Sequence, residues 1–171
     1  MDKYQSRYLA HQQRKKDVLI EIMKERHSNR IFSDKEVPKE VINELLELKD
    51  LAPSSCDRKA VLPLVVTDRD AKSLLGGILV GGVGWIHRAP IIILLFADLT
   101  AYKAGDEYTY MPYLDAGCAI QQLYLATTAQ GLHCAYANPN IREENKKFFM
   151  ERYGNDNLLF CGAFAVGYPK E

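Results

Sequence analysis

Asp115-Ala116-Gly117-Cys118-Ala119-Ile120-Gln121-Gln122-Leu123-Tyr124-Leu125-Ala126-Thr127-Thr128-Ala129-Gln130 contains no proline and no charge after its first residue. The segment predicts a helix, with Asp115 as N-cap and Gly131 as the C-terminal stop. Its sides are small or apolar nearly all round, and Gln121, Gln122 and Gln130 are the polar exceptions after the cap. A surface helix keeps a polar face, so this one belongs in a core or a subunit interface.

Working outward, His133 to Ala137 reads as a strand, and the pair Asn140 and Glu143 has the capping-box spacing that opens a helix ending near Gly154. Phe160 to Val166 reads as a further strand. Upstream, Ile91 to Ala97 is a continuous apolar run rich in β-branched residues, as in a strand buried on both faces. Leu64 to Thr67 is a short strand with Pro63 at its start or on an edge. A helix starting at Pro38 turns Val41, Ile42, Leu45, Leu46 and Leu48 inward, and the first helix runs from about Gln13 to Glu25. Helices and strands interleave, which gives an α/β or α+β layer structure without fixing the strand order.

At 171 residues the chain suits a single domain with a substantial core. Its 22 basic and 22 acidic side chains cancel, which argues against a dedicated nucleic-acid binder. Residues 1–30 nevertheless hold eight Lys/Arg and four Asp/Glu, a local excess suited to one small anion. Cys56, Cys118, Cys134 and Cys161 form no CxxC pair, and His11, His27, His87 and His133 lack ligand spacing, so no metal site is expected. The polar N-terminus is no signal peptide, and His87, Arg88 and Pro90 interrupt the apolar stretch from Leu74 to Ala97, so a cytoplasmic protein without membrane spans is expected. Gly82-Val83-Gly84 lacks the third glycine of a dinucleotide fingerprint, and there is no GxxxxGK[ST], HExxH or GxSxG.

The segment most suited to a ligand is Arg26-His27-Ser28-Asn29-Arg30-Ile31-Phe32. In extended chain Arg26, Ser28 and Arg30 share a face, and two guanidiniums with a hydroxyl suit a phosphate monoester with a polyol chain; a solvated basic turn is the alternative. This segment is followed by Val-Pro-x-Glu-Val-Ile, Leu-Ala-Pro-Ser-Ser at residues 51–55, Asp-Ala-Gly-x-Ala-Ile-Gln-x-Leu-x-Leu-Ala with Gly131-Leu132, and Val-Gly-Tyr-Pro at residues 166–169. In this order and spacing, from about Arg26 to Pro169, the chain resembles the FMN-dependent nitroreductase family.

The resemblance implies an α+β nitroreductase-like fold: a central mixed β-sheet flanked by helices, in an interlocked homodimer with two FMN sites between the subunits. The match makes residues 26–171 the FMN-binding domain and leaves residues 1–25 as an N-terminal helical extension, which either wraps the partner or is a loosely attached helix. Cofactor contacts are implied at Arg26, His27, Ser28 and Arg30, with Arg26 on the phosphate and Arg30 by the pyrimidine side of the ring. Pro53, Ser54, Ser55 and Asp57 would approach the same flavin from the partner chain. Tyr136, Ala137 and Asn138 would lie by the ring, with a backbone N–H near flavin N5. No side-chain acid or base is required of a ping-pong exchange in which NAD(P)H, as co-substrate, reduces FMN and FMN reduces a small organic acceptor: a nitroaromatic, a quinone or a pathway-specific compound. The alternatives are an FMN-binding dimer with little turnover and a flavoenzyme of a narrow biosynthetic pathway.

Departures from the family pattern are Asp57 and Lys59, where Asn and Gln are usual, Pro139 after Asn138, and the short stretch after Gly-Tyr-Pro. Asp57 would bring a carboxylate beside the flavin. Tyr102, Tyr108, Tyr110 and Tyr113 stand in an expected loop between Asp98 and Asp115. Tyr102, Tyr108 and Tyr110 are candidate substrate contacts there; packing of the loop onto the core is the other reading.

Overall fold

Ile91–Asp98 (β2) is buried along nearly its whole length, and the two faces of this strand organise the molecule. The computed structural model describes residues 3–103, 105 and 107–170. Alternation sends Ile91, Ile93, Leu95 and Ala97 into one core and Ile92, Leu94 and Phe96 into the other. The first core is covered by α2 (Lys39–Lys49) and α4 (Glu107–Ala129), through Ile42, Leu45, Ala116, Ala119, Leu123 and Ala126. The second is covered by α3 (Arg69–Ile78) and α5 (Glu143–Tyr153), through Leu75, Ile78 and Phe149. Full burial of a Leu, Ile or Phe side chain contributes about 1.5–3 kcal/mol, so β2 is the main stabilising strand.

Among the described residues the sheet has four strands in the order β1-β2-β4-β3, with β1 at Val61–Val66, β3 at His133–Ala137 and β4 at Leu158–Gly167. The register pairs Leu64 with Leu94, Leu94 with Ala163, and Ala135 with Ala165. The expected mixed sheet is antiparallel at every pairing of these strands. The reason lies in the insertion of β4. β2 and β3, joined through α4, run in the same direction, but β4 comes between them and pairs antiparallel with both.

Most predicted elements appear in place, and the differences are local. The first helix, α1, is Lys3–Glu25, longer than its apolar pattern suggested, and nearly all of it is exposed. α3 carried no sequence expectation; Asp68 caps it by accepting the Ala71 N–H at 2.8 Å. The capping box at Asn140 does not form: Arg142 occupies the cap position without a side-chain bond, and Asn138 Oδ1 accepts the Asn140 N–H at 3.1 Å. The largest correction concerns α4, which starts at Glu107 and runs through Pro112, so that Asp115 is an interior residue rather than its cap. None of the helices among the described residues is long and apolar enough to cross a membrane.

Candidate functional site

After Glu25 the chain leaves α1 and runs as an extended strap past the edge of β3. The Asn29 N–H donates to Cys134 O at 2.7 Å, the Ser33 N–H to Tyr168 O at 2.9 Å, and His133 Nδ1 lies 2.9 Å from Ile31 O. His27 turns into the strap itself: its Nδ1 meets Glu25 O, and its Nε2 accepts from Asn29 Nδ2 at 2.9 Å. Arg26 and Ser28 point the other way, onto α4. The Arg26 guanidinium carbon lies 5.2 Å from the centre of the Tyr124 ring, and Ser28 Oγ is 2.9 Å from the Tyr124 hydroxyl. That hydroxyl also accepts the Tyr136 N–H at 2.9 Å, while the ring sits edge-on to Phe164. Tyr124 thus ties strap, helix and sheet together.

Arg30 continues the row, with its guanidinium carbon 5.3 Å from the centre of the Trp85 ring. Trp85 Nε1 donates to Gly81 O at 2.9 Å, and a Cβ at Gly81 would stand 3.3 Å from both Asn138 N and Asn138 Oδ1. The Val80 N–H bonds to Asn140 O at 3.0 Å, which fixes this turn beside the end of β3. Among the described residues neither Arg26 nor Arg30 is paired with a carboxylate. Two guanidiniums held on aromatic rings, with Ser28 between them and Asn138 beyond, make a row suited to a long ligand with an anionic end.

β3 contributes backbone here more than side chains. The Tyr136 ring lies over Gly162, where an added Cβ would come 2.4 Å from Tyr136 Cε2; Gly162 has φ +120°. The Tyr136 hydroxyl donates to Cys161 O at 2.6 Å, and burial pushes its pKa up to about 12. Ala137 is buried in the second core, whereas Asn138 is exposed. Burial also pushes the thiols of Cys134 and Cys161 up to about 11, which removes them as thiolate nucleophiles. Among the described residues no cluster of His, Cys, Asp and Glu could hold a metal ion.

Pro53, Ser54, Ser55 and Asp57 lie elsewhere, on the loop between α2 and β1. β1 and β3 are the two edges of the sheet, three strand spacings or roughly 14 Å apart, so this loop and the Arg26 strap do not meet within one chain. The loop is tightly held. Asp115, 4% exposed, accepts the Ser55 N–H at 2.8 Å and the Tyr102 hydroxyl at 2.9 Å. Ser54 Oγ accepts the Lys59 N–H at 3.0 Å, and Arg58 bridges Ser55 Oγ and Glu107. Cys56, Asp57 and Lys59 have φ of 52°, 54° and 51°, left-handed values that cost on the order of 1–3 kcal/mol for each residue other than glycine. Asp57 is exposed, and Arg58 is taken by Glu107.

The aromatic segment is corrected by the same network. Tyr102 is 5% exposed and committed to Asp115, which favours the reading that it packs this segment onto the core; its hydroxyl is pushed up by burial and by that carboxylate. Tyr108, Tyr110 and Tyr113 are exposed on the first turns of α4, not on a loop. Tyr113 borders a groove with Pro139, Ile141, Lys146 and Phe160. Sequence reasoning missed Trp85, Gly81 and Tyr124. The only tryptophan of the chain and a phenol on an otherwise apolar helix were the available signals.

The Arg58–Glu107 pair makes the loop acid-sensitive. Hydrogen bonding to Arg58 holds the Glu107 carboxyl below its ordinary 4.5. A depressed folded-state value stabilises the native state above the ordinary carboxylate range, and the gain fades as pH falls through the folded value. The thermal midpoint of Glu107→Gln is therefore expected below wild type at neutral pH, with the two converging below pH 4.5. A constant gap in melts across that range would show that ionisation of Glu107 plays no part.

A profile of the nitroreductase family matches residues 23–83 and 79–168. FMN reductase [NAD(P)H] of Bacillus subtilis is 27% identical over 128 residues, 67% of this chain; the chain spans only 51% of that protein's length. A protein of Archaeoglobus fulgidus named for NADH dehydrogenase/NAD(P)H nitroreductase activity is 27% identical over 148 residues, covering 85% of this chain and 82% of the relative. Among solved structures, a nitroreductase-type protein of Desulfovibrio desulfuricans in complex with FMN superposes with a TM-score of 0.77 at 26% identity, covering 90% of this chain and 87% of that one. One from Parabacteroides distasonis gives 0.78 at 25% identity, with 90% and 88% covered. The fold, the strap motif and the profile agree: this chain belongs to the nitroreductase family.

Proposed function

We propose that two copies of this chain form an FMN-dependent NAD(P)H oxidoreductase that reduces a small organic acceptor. The observation that carries the reading is the row of Arg26, Ser28 and Arg30, in which two guanidiniums rest on Tyr124 and Trp85 and neither has a carboxylate partner among the described residues. These residues fit FMN: a doubly charged phosphate for Arg26, hydroxyls for Ser28, and an electron-rich ring edge for Arg30. When bound, FMN supplies hydride transfer between NAD(P)H and the acceptor.

The chain's own work in this reading is to bind, orient and shield. Arg26 and Ser28 hold the phosphate end, with His27 bracing the strap through Asn29. Arg30 puts a positive charge where reduction would add a negative one. The backbone at Tyr136, Ala137 and Asn138 lines the ring, and Asn138 faces the open side. Pro53, Ser54, Ser55 and Asp57 serve the partner's site, since within one chain they lie across the sheet from the strap. Residues 1–25 wrap the partner. In support, α1 exposes Tyr8, Leu9, Val18, Leu19 and Met23, an apolar set with little of its own chain to cover it. Tyr108, Tyr110 and Tyr113 flank the acceptor; in support, Tyr113 borders a groove with Pro139, the residue after Asn138.

The test is the colour of the purified full-length protein and its response to NAD(P)H without oxygen. A yellow protein that bleaches and then reduces a quinone or nitroaromatic supports the proposal. A yellow protein that never bleaches reduces it to FMN binding. A colourless protein that cannot be loaded with FMN overturns it.

A further inference from the structure

Asp115 is a buried carboxylate that forms no salt bridge among the described residues, although the Arg58 guanidinium acts on it through space. Both of its oxygens are used: Oδ1 accepts the Ser55 N–H at 2.8 Å and Oδ2 the Tyr102 hydroxyl at 2.9 Å. Burying a carboxyl group without partners is costly, and here both oxygens are satisfied by hydrogen bonds rather than by a salt bridge. One of them reaches 60 residues back to the middle of the loop between α2 and β1. Arg58, over the Tyr102 ring with its guanidinium carbon 5.6 Å from the centroid, ties the same loop to Glu107 at the start of α4. Lys49, 3% exposed, donates to Val61 O at 2.7 Å and to Asp50, closing the loop's two ends.

A loop that only joined α2 to β1 would relax or place glycine at its left-handed positions. This one keeps Cys56, Asp57 and Lys59 at positive φ, with Pro53, Cys56 and Asp57 exposed. Strain that is held from three sides, under an exposed tip, marks a surface kept in a fixed shape for something that docks on it. Resting on the two-chain site proposed above, we infer that Asp115, supported by Tyr102 and by the Arg58–Glu107 pair, is a positioning residue that fixes the Pro53–Lys59 loop in the shape that completes the partner's flavin site. Asp115 does not touch the cofactor; it acts through the Ser55 backbone.

Cys56 reports on this loop directly. It is exposed at the loop tip, so its alkylation by a small maleimide can be followed by peptide mass spectrometry in the full-length protein, with and without FMN. Binding of FMN and of riboflavin is measured in parallel through the fluorescence of Trp85. In wild type, FMN is expected to slow Cys56 alkylation by about tenfold or more. In Asp115→Ala that protection disappears, and affinity for FMN and for riboflavin falls equally, by roughly tenfold, because the loop serves the ring end rather than the phosphate. Tyr102→Phe removes one hydrogen bond with little change of packing and shows the same pattern more weakly, which keeps the test open should Asp115→Ala not fold. Asp115→Asn retains an oxygen for the Ser55 N–H and restores most of the protection; loss of protection in Asp115→Ala at an unchanged circular dichroism spectrum separates positioning of the loop from loss of the fold.

Two outcomes distinguish the role of Asp115 from the two-chain site itself. If FMN binds wild type but leaves Cys56 alkylation unchanged, the loop does not cover the flavin, and the two-chain site falls together with the inference. If FMN protects Cys56 equally in wild type, Asp115→Ala and Tyr102→Phe, the two-chain site stands and the positioning role of Asp115 is overturned.

Discussion

Replacing Arg26 with alanine is expected to weaken FMN binding by roughly ten- to a hundredfold and to leave riboflavin binding almost unchanged. A hydrogen bond to a charged group contributes about 1.5–3 kcal/mol, and each 1.4 kcal/mol is tenfold in affinity. Arg26 supplies such a contact at low cost. Its guanidinium is already held over the Tyr124 ring, and no carboxylate among the described residues has to be displaced. Ser28, on the hydroxyl of the same tyrosine, keeps the strap in register when the guanidinium is removed. Riboflavin lacks the phosphate, so it reports the rest of the site. Titration of the two flavins against the fluorescence of Trp85, the chain's single tryptophan, gives both affinities in one format. Equal losses for FMN and riboflavin would remove Arg26 from the phosphate and make it a support of the strap.

How far the site was legible depends on how local its signals are. The strap was legible because alternate residues of an extended segment share a face, and Arg26 and Ser28 do converge on one tyrosine. β2 was legible because a strand buried on both faces leaves a run of apolar residues that cannot be read otherwise. Asp115 shows where such reasoning stops. An acidic residue before an apolar helical run has the local signature of an N-cap, yet its partners are Ser55 and Tyr102, brought to it by tertiary folding. Pro112 and the tyrosines around it looked like a loop for the same reason: burial of α4 against the sheet overrides a weak local preference. α3 stayed hidden because Gly76 and Gly77 dilute its pattern, and only the Asp68 cap declares it. The row beyond Arg30 needed the structure altogether, since Trp85 and Asn138 are far apart in sequence and meet only through the turn at Gly81.

The helix that fixes the fold, α4, also turns one face outward. Ala116, Gly117, Ala119 and Ala126 are small residues of this helix that would permit close approach of a partner. The structure divides them. Ala116, Ala119 and Ala126 are buried against their own sheet, so a charge at Ala119 would break the core and say nothing about a partner. The outward stripe is Tyr110, Tyr113, Leu114, Gly117, Cys118 and Gln121, at helical spacing and exposed, with Tyr110, Tyr113 and Leu114 at 51%, 49% and 57%. Gly117 is its narrowest point, and a Cβ added there meets nothing within 4 Å. Gly117→Arg is therefore compatible with the fold of the single chain. On an isolated helix surface, losing the glycine would raise stability by roughly 0.5–1 kcal/mol. If two copies pack across this stripe, the sign reverses: a bulky cation at the closest approach drives the chains apart, and a site that needs both chains loses its flavin. Gly117→Arg is expected to be a monomer by light scattering at micromolar concentration, to purify with at most about a tenth of the wild-type flavin, and to melt below wild type. A dimeric, fully yellow Gly117→Arg with a raised melting temperature would put the partner on another face and detach this stripe from the flavin site.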